Sequence, residues 1–296
     1  MGDHPNYLYI PCPICSSRRF KVKYLDTLGS EMPCFDYDFR PAHTNTYRIV
    51  KCLDCGHGYS SPRPERLWEH YQATEDMVYL RNQSQRVATA RKVMQRLLRS
   101  ISKGRLLDVG CATGDFLTIA QEHFRVEGVE LSKWSADIAR SRGLVIHNCE
   151  LANLETSEPY DVVTLWGVIE HFEDPVIEIK NIARLMRSGG IICLWTGDFE
   201  SYLSKFLGKK WWWVQGQHIN LFSKRSLRKL FSDHGYEVVE MRIYPYVMTI
   251  ESISRSLGRY PFITKMTKFL LTTKLLADKK ITLKLPGEIF AIFRKR

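Results

Sequence analysis

Four of the eight cysteines in this 296-residue chain fall in two C-x-x-C pairs, Cys12-Pro13-Ile14-Cys15 and Cys52-Leu53-Asp54-Cys55-Gly56. Two such knuckles, each in a turn-like context, have the ligand type and spacing of a tetrahedral four-cysteine zinc site. With four thiolates the metal keeps no open coordination position, so its expected role is structural. Zinc would close the long intervening loop, and its binding energy would become folding energy. A module of about 60 residues with few aliphatic side chains needs such a staple. Cys34, His43 and His57 are poorer ligand candidates, and Cys111, Cys149 and Cys193 read as packing residues.

A second constellation is Leu106-Leu107-Asp108-Val109-Gly110-Cys111-Ala112-Thr113-Gly114-Asp115-Phe116. It reads as a buried strand, a G-x-x-x-G turn and the start of a helix. Gly110 permits a tight turn and Gly114 a close approach of backbone to ligand. Glu130 follows Gly110 by twenty residues and ends the strand Val126-Glu127-Gly128-Val129-Glu130. An acidic side chain at that strand tip can accept hydrogen bonds from both ribose hydroxyls. The glycine spacing is not the G-x-G-x-x-G of hydride-transfer enzymes.

These residues need elements to hold them. Short apolar strands are expected at Arg105–Val109, Val126–Glu130, Val145–His147, Asp161–Leu165 and Ile191–Trp195. Amphipathic stretches near 115–124, 133–142 and 176–187 alternate with them, and a helix near 223–234 and a strand at Tyr236–Arg242 follow. This alternation predicts an α/β fold, a Rossmann-like doubly wound and mainly parallel sheet. The expected division is a zinc-ribbon-like module over 1–61, a helical connector over 62–103, the doubly wound domain over 104–258 and a basic amphipathic tail over 259–296. Ser61-Pro62-Arg63-Pro64 marks the first boundary, and Glu65–Ser102 reads as helix.

From the glycine loop onward the chain resembles the class I S-adenosylmethionine (SAM)-dependent methyltransferases. Their first motif has the form of Asp108 to Gly114, followed by an acidic residue at the second strand's end. His147-Asn148-Cys149-Glu150-Leu151, the run Tyr160 to Pro175 through Trp166-Gly167-Val168-Ile169-Glu170-His171, and Leu185-Met186-Arg187-Ser188-Gly189-Gly190 resemble later motifs in the same order. The resemblance covers residues 105–197. It implies that Asp108 and the backbone of Gly110, Cys111, Ala112 and Gly114 hold the methionine moiety of SAM. It further implies that Glu130 binds ribose, that Glu150 and Leu151 flank adenine, and that Trp166 and Gly167 begin the loop beside sulfonium and substrate. With its cysteine pairs the chain looks like bacterial enzymes that carry an N-terminal zinc-binding domain. Some of those methylate carbons of nucleotide-activated sugars, and others methylate oxygens of natural products, polysaccharide components or quinone precursors. Only about 100 residues follow the last core motif here, whereas the longer sugar C-methyltransferases carry a further full domain.

Methyl transfer from an activated sulfonium asks chiefly for positioning, worth about 7–11 kcal/mol. A general base adds roughly 10²–10⁴-fold where the nucleophile carries a proton. His171, after Glu170 at the end of the fourth strand, is one candidate. His218, in Gly216-Gln217-His218-Ile219-Asn220-Leu221-Phe222-Ser223, is the other, as base or substrate anchor. For each, a purely structural hydrogen-bonding role is the alternative. Ser223 is placed to cap the helix that follows. Trp211, Trp212 and Trp213 cannot all face one core from a regular element. At least one is expected to line or cover a substrate pocket, or they pack against the zinc module.

The net charge is +11, which by itself suggests an anionic partner. Its distribution points elsewhere. Residues 259–296 hold ten lysines and arginines against two acids, a net of +8, while residues 1–61 hold seven basic and six acidic residues, a net of +1. A module gripping RNA should be basic, because phosphate neutralisation dominates affinity. The expectation is therefore a small-molecule acceptor, with phosphorylated and lipid-linked molecules among the alternatives, and no nucleic acid. The tail's mixture of lysines with Phe262, Phe269, Leu270 and Leu275 suits a helix on an anionic membrane surface or over a cleft, or a solvated terminal helix. No stretch approaches a membrane-spanning length and the start lacks signal-peptide character, so a cytoplasmic protein is expected, with peripheral membrane attachment as the variant. The sequence reads as a SAM-dependent methyltransferase of small molecules with a structural zinc. A zinc-finger rRNA or tRNA base methyltransferase and a non-catalytic SAM-binding scaffold are the alternatives.

Overall fold

The structure is a computed structural model and describes residues 7–29, 31–35, 41–257 and 279–296. Its centre is a seven-stranded sheet of β1 (Arg105–Val109), β2 (Arg125–Val129), β3 (Ile146–His147), β4 (Tyr160–Trp166), β5 (Met186–Gly197), β6 (Tyr236–Arg242) and β7 (Glu288–Lys295). The spatial order is β6-β7-β5-β4-β1-β2-β3. Strands β1 to β5 are parallel to one another, whereas β7 runs antiparallel to both β5 and β6. The expected doubly wound α/β architecture is present with one reversed strand, so the sheet is mixed. Strand order reverses between β1 and β4, which is where open α/β sheets place ligands at the carboxyl ends of their strands.

Alternation along the strands divides the core. Leu107, Val163, Leu165, Ile192, Leu194, Ile289, Ala291 and Phe293 pack on one face. Leu106, Val162, Ile191, Cys193, Phe290 and Ile292 pack on the other, against Val93, Met94 and Leu97 of the helix Gln83–Leu97. On the first face the helices Pro175–Leu185 and Lys224–Asp233 supply Ile179, Ile182, Leu227, Leu230 and Phe231. Asp174 caps the first of these helices by accepting from the Val176 and Ile177 N–H groups, with Pro175 in its first turn. Ser223 caps the second in a reciprocal box with Ser226, as its position predicts.

Two sequence readings need correction. The connector is not one helix over Glu65–Ser102 but three, Glu69–Gln72, Met77–Arg81 and Gln83–Leu97. Asp76 is the reason for one break: it is extended, and its carboxylate accepts from Tyr79 N at 2.7 Å, starting a new helix. The basic tail is not an appendage along its whole length. Residues 288–293 are wholly buried between β5 and β6, with Cys193 opposite Ile292 and Val238 opposite Phe293. A strand buried on both faces reads as an uninterrupted apolar run, which Ile289-Phe290-Ala291-Ile292-Phe293 is. The amphipathic stretch expected between Phe262 and Leu276 lies outside the described residues. No helix among the described residues is long and apolar enough to cross a membrane.

The place of β7 is testable by chemical denaturation. Phe293 stacks on Phe231 with ring centroids 3.8 Å apart and is fully buried. Phe293→Ala is expected to destabilise the fold by about 3–5 kcal/mol, the range for emptying a buried aromatic site. A loss below about 1 kcal/mol, typical of a surface position, would place the segment outside the core.

The cysteine-bearing module is a second sheet, built on the hairpin Ile49–Cys52/Gly58–Ser60 with Phe20–Tyr24 on one edge. Its other edge is closed by Asn220–Leu221, a strand from the far side of the sequence. Cys12, Ile14, Cys52, Cys55 and Tyr59 join the same buried cluster as Phe222 and Leu227. Module and central sheet thus share a core.

Candidate active site

At the end of β1 the backbone turns through Gly110 in the left-handed region, φ +66°. The Gly110 and Cys111 N–H groups both donate to Val129 O, at 2.8 and 3.1 Å. A Cβ on Gly110 would lie 2.7 Å from Val168 Cγ2, so the glycine loop and the turn after β4 touch at this residue. Glu130, at the tip of β2, accepts from Ala112 N and Ser132 N, both at 2.8 Å, and burial pushes its carboxyl up. Asp108 is buried and accepts from Thr164 Oγ1 at 2.6 Å. Burial pushes it up to about 8, with the Glu130 charge adding. Asp108 thus lies in the strand that leads into the glycine loop, and Glu130 is tied to that loop through Ala112 N. Asn148 donates to Glu130 O and Leu131 O at 2.7 and 2.9 Å, and beside it opens a cleft lined by Gln72, Leu131, Lys133, Asn148 and Cys149. Of the two residues expected to flank adenine, Leu151 is buried in the core and Glu150 is half-buried, and neither lines this cleft; Asn148 and Cys149, the latter read from sequence as a packing residue, do.

The sequence reading missed how this loop is anchored. Asp115 is buried and accepts from Arg86 Nε and Arg142 Nη1, both at 2.7 Å, and from Gln83 Nε2 at 3.1 Å. Three cationic or amide donors from two flanking segments thus fix the exit of the glycine loop. A lone Asp after a glycine carries no signal for such partners.

The other half of the site begins at Trp166 and Gly167, where Gly167 N donates to Trp195 O at 3.0 Å. A short turn, Ile169–His171, carries Glu170 and His171. Glu170 is buried, accepts from Thr196 Oγ1 at 3.0 Å and is pushed up to about 8 by burial. His171 Nδ1 lies 2.7 Å from Tyr71 Oη and 3.0 Å from Gln217 O. Burial pushes the imidazole down to about 4, so it is neutral at pH 7. His218 Nδ1 lies 2.9 Å from Trp213 O. The two imidazoles, distant in sequence, meet with ring centroids 4.8 Å apart, and ligand-capable atoms of Glu170, His171 and His218 all fall within 4.8 Å.

Aromatic rings connect the two halves. Phe116 behind the glycine loop is 4.9 Å from Trp166, which is 6.3 Å from Tyr244, itself stacked on Trp195 at 4.6 Å. Trp195 meets Trp213 at 5.2 Å, Trp213 meets His218 at 5.2 Å, and His171 continues to Tyr71 at 5.3 Å. The three consecutive tryptophans separate as their spacing requires. Trp211 packs with Ile49 of the cysteine module and with Phe199, Trp213 joins the ring series, and Trp212 donates its indole N–H to Glu288 at 3.0 Å. Glu288 also accepts from Trp195 Nε1 at 3.0 Å and is pushed up to about 7 by burial. Tyr71, Tyr244, Trp195 and Glu288 carry no sequence signal of a role here, because nothing local ties them to the loops they face.

The four cysteines of the two knuckles converge. Cys12 Sγ is 3.5 Å from Cys55 Sγ, Cys15 Sγ is 3.6 Å from Cys52 Sγ, and all four sulfurs lie within 4.8 Å of one another. A disulfide would need about 2.05 Å. A tetrahedron of thiolates with Zn–S near 2.3 Å has sulfur–sulfur edges of about 3.8 Å. Donor type, number and spacing therefore fit a metal ion held by Cys12, Cys15, Cys52 and Cys55. His57 is turned away from the sulfurs, its Nε2 being 3.1 Å from Asn220 Oδ1. Cys34 and His43 are outside the cluster too.

Comparison with known proteins agrees with this geometry. Residues 79–241 match the model of a methyltransferase domain family. The ubiquinone biosynthesis O-methyltransferase of Vibrio cholerae is 32% identical over 115 residues, 35% of this chain and 47% of that protein. Its namesake from Bordetella avium is 32% identical over 130 residues, covering 40% and 54%. The chain thus spans about half the length of these curated relatives. Among solved structures, a SAM-dependent methyltransferase of Thermotoga maritima, described as a possible histamine N-methyltransferase, aligns with a TM-score of 0.50 at 22% identity, over 74% of this chain and 94% of that one. YcgJ of Bacillus subtilis aligns with a TM-score of 0.50 at 15% identity, over 70% and 99%. That likeness is one of fold. With the family model covering more than half of the sequence, and the glycine loop, Asp108 and Glu130 in place, the chain belongs to the SAM-dependent methyltransferases.

Proposed function

We propose that the chain transfers the methyl group of SAM to an oxygen or carbon atom of a sugar, a polysaccharide precursor or another secondary metabolite, with His171 or His218 taking the acceptor's proton. The observation that carries this reading is the meeting of His171, His218 and Glu170 on the turn whose Val168 touches Gly110 of the glycine loop. A neutral imidazole there can accept a proton as the nucleophile attacks, while Glu170, held protonated by burial, adds no negative charge near pH 7. The run of rings from Phe116 to Tyr71 offers flat apolar faces against which a ring-shaped acceptor could stack. Two curated relatives are named O-methyltransferases, which supports oxygen as the methylated atom.

Asp108 and the backbone of Gly110 to Gly114 would hold the methionine part, Glu130 the ribose, and the cleft beside Asn148 the adenine. When bound, SAM supplies the electrophilic methyl; the chain's own part is to align the acceptor with it and to receive one proton. The four-cysteine cluster would hold zinc in a structural role.

The test is a mass-spectrometric search for singly methylated products with SAM and a panel of nucleotide-activated sugars, glycans and phenols. With an acceptor in hand, His171→Ala and His218→Ala are expected to separate. The one that removes the base loses about 10²–10⁴-fold in kcat/KM while SAM affinity stays within about threefold. Full turnover by both variants would remove the proposed base.

A further inference from the structure

Asn220 occupies an unusual crossing point. It is fully buried, and its backbone belongs to the strand that closes the cysteine module's sheet, opposite Tyr59. Its side chain makes hydrogen bonds in two directions. Oδ1 lies 3.1 Å from His57 Nε2, two residues beyond Cys55. Nδ2 donates to Phe172 O at 2.6 Å and reaches Glu170 O at 3.5 Å, the two residues flanking His171. Since Nδ2 is the donor on the site side, Oδ1 is the acceptor on the module side, which fixes His57 with its proton on Nε2. Asn220 also follows His218 by two residues, and Ser60 N donates to Ile219 O at 2.9 Å, so the hairpin that ends at the second knuckle holds the His218 segment by backbone as well. His171 in turn rests on Gln217 O of that segment. Both candidate bases are therefore referenced to one short strand, and that strand is held by the cysteine module.

We propose that Asn220 is a positioning residue that couples the Cys12/Cys15/Cys52/Cys55 module to the Glu170–His171 turn, so that the module's integrity sets where the two histidines stand. Glu170 O lies within, and Phe172 O just after, the three-residue turn Ile169–His171, and a buried carbonyl that loses its donor is left with the full desolvation penalty. The turn would then shift or open rather than stay in place. This inference rests on the reading of that turn as the acceptor-side wall, but its test reads the position of the turn directly and needs no acceptor.

The experiment compares wild type, Asn220→Asp, Asn220→Ala, His57→Gln and metal-depleted wild type by hydrogen exchange, by NMR of the His171 imidazole and by SAM calorimetry. Aspartate can still accept from His57 but cannot donate to Phe172 O. Glutamine at 57 can still donate to Asn220 Oδ1. Asn220→Asp and metal removal are each expected to raise exchange of amides 169–173 by about tenfold or more and to shift the His171 ring signals. In Asn220→Asp, exchange over 105–116 and SAM affinity stay near wild type, and His57→Gln keeps wild-type behaviour. Asn220→Ala reproduces Asn220→Asp. Unchanged exchange and ring signals in Asn220→Asp, or a module loosened by metal removal with the 169–173 turn unmoved, would overturn the coupling. A uniform rise in Asn220→Asp that includes 105–116 would also overturn it, by making Asn220 a general stability residue. Failure of both histidine variants to affect turnover would sink the proposed bases and leave this coupling standing, so the two failures are distinct.

Discussion

Gly110→Arg is expected to abolish SAM binding, weakening it by at least about 100-fold, or roughly 2.7 kcal/mol. The backbone at Gly110 sits at φ +66°, where an L-residue with a Cβ is strained by about 1–2 kcal/mol. Its Cβ would stand 2.7 Å from Val168 Cγ2 and 3.4 Å from Cγ1, both on a stiff β-branched side chain in the His171 turn. Neither side can yield without moving the other: Gly110 N is fixed to Val129 O at 2.8 Å, and the turn is held through Phe172 O by Asn220. The long cationic side chain must then leave over the loop, the region where the backbone would face the methionine moiety. Gly143 supplies the control. Its φ is +80°, but a Cβ there meets nothing within 4 Å. Gly143→Ala should lower stability modestly, by about 1 kcal/mol, and leave SAM affinity alone. Calorimetry with SAM, alongside thermal unfolding, separates the two variants. Unchanged SAM affinity in Gly110→Arg would remove the glycine loop from the cofactor site.

The parts of the fold legible in the sequence are those whose information is local. Arg105–Val109 and Tyr236–Arg242 have the same limits in sequence and structure, because five to seven apolar-rich residues bounded by turn formers specify a strand without reference to neighbours. The glycine loop is legible because φ and close approach select residue types at fixed offsets. The cysteine knuckles are legible for a similar reason, a metal ion imposing its ligand spacing on the chain. Pairing between distant segments leaves no such trace. Strand β7 lies far along the chain from β6, and its closing Arg294-Lys295-Arg296 draws it into a charge count that hides a buried apolar run. Lys295 itself reaches back to Ala183 O and Met186 O, at 2.7 and 2.8 Å, so part of that charge ends on carbonyls at the C-terminus of the helix Pro175–Leu185. The candidate site divides the same way. His171 and His218 can each be singled out by neighbours in sequence, but Tyr71, Trp195 and Glu288 owe their places to the sheet, to separate crossovers and to a strand that pairs between two others.

The second large effect concerns the metal. Cys12→Ser combined with Cys52→Ser is expected to lose bound zinc and to lower stability by several kcal/mol, enough to leave much of the chain unfolded at physiological temperature. Structural zinc sites in finger peptides contribute about 10–16 kcal/mol at neutral pH, as much as the whole stability of a typical domain at roughly 5–15 kcal/mol. The module's outer strand adds little to it, since Val22 and Leu25 are exposed and Phe20 is too. Without the ion, two thiols in one pair and two in the other have only each other at 3.5 and 3.6 Å, and the hairpin between Cys52 and Cys55 loses the ion that would tie it to Cys12. The damage would not stop at the module, because Cys12, Cys52, Cys55 and Tyr59 pack in one cluster with Phe222 and with Leu227 and Leu230 of the central sheet's covering helix. Opening the knuckles therefore wets one face of that sheet. A chelator added to wild type should reproduce the thermal shift, and zinc in excess should reverse it. Cys34→Ser, a half-buried cysteine away from the cluster, should change neither metal content nor melting by a comparable amount. Metal analysis of protein grown with zinc is the deciding measurement: a wild type without zinc, or a double variant that keeps it, would show that the four sulfurs converge for some reason other than a metal.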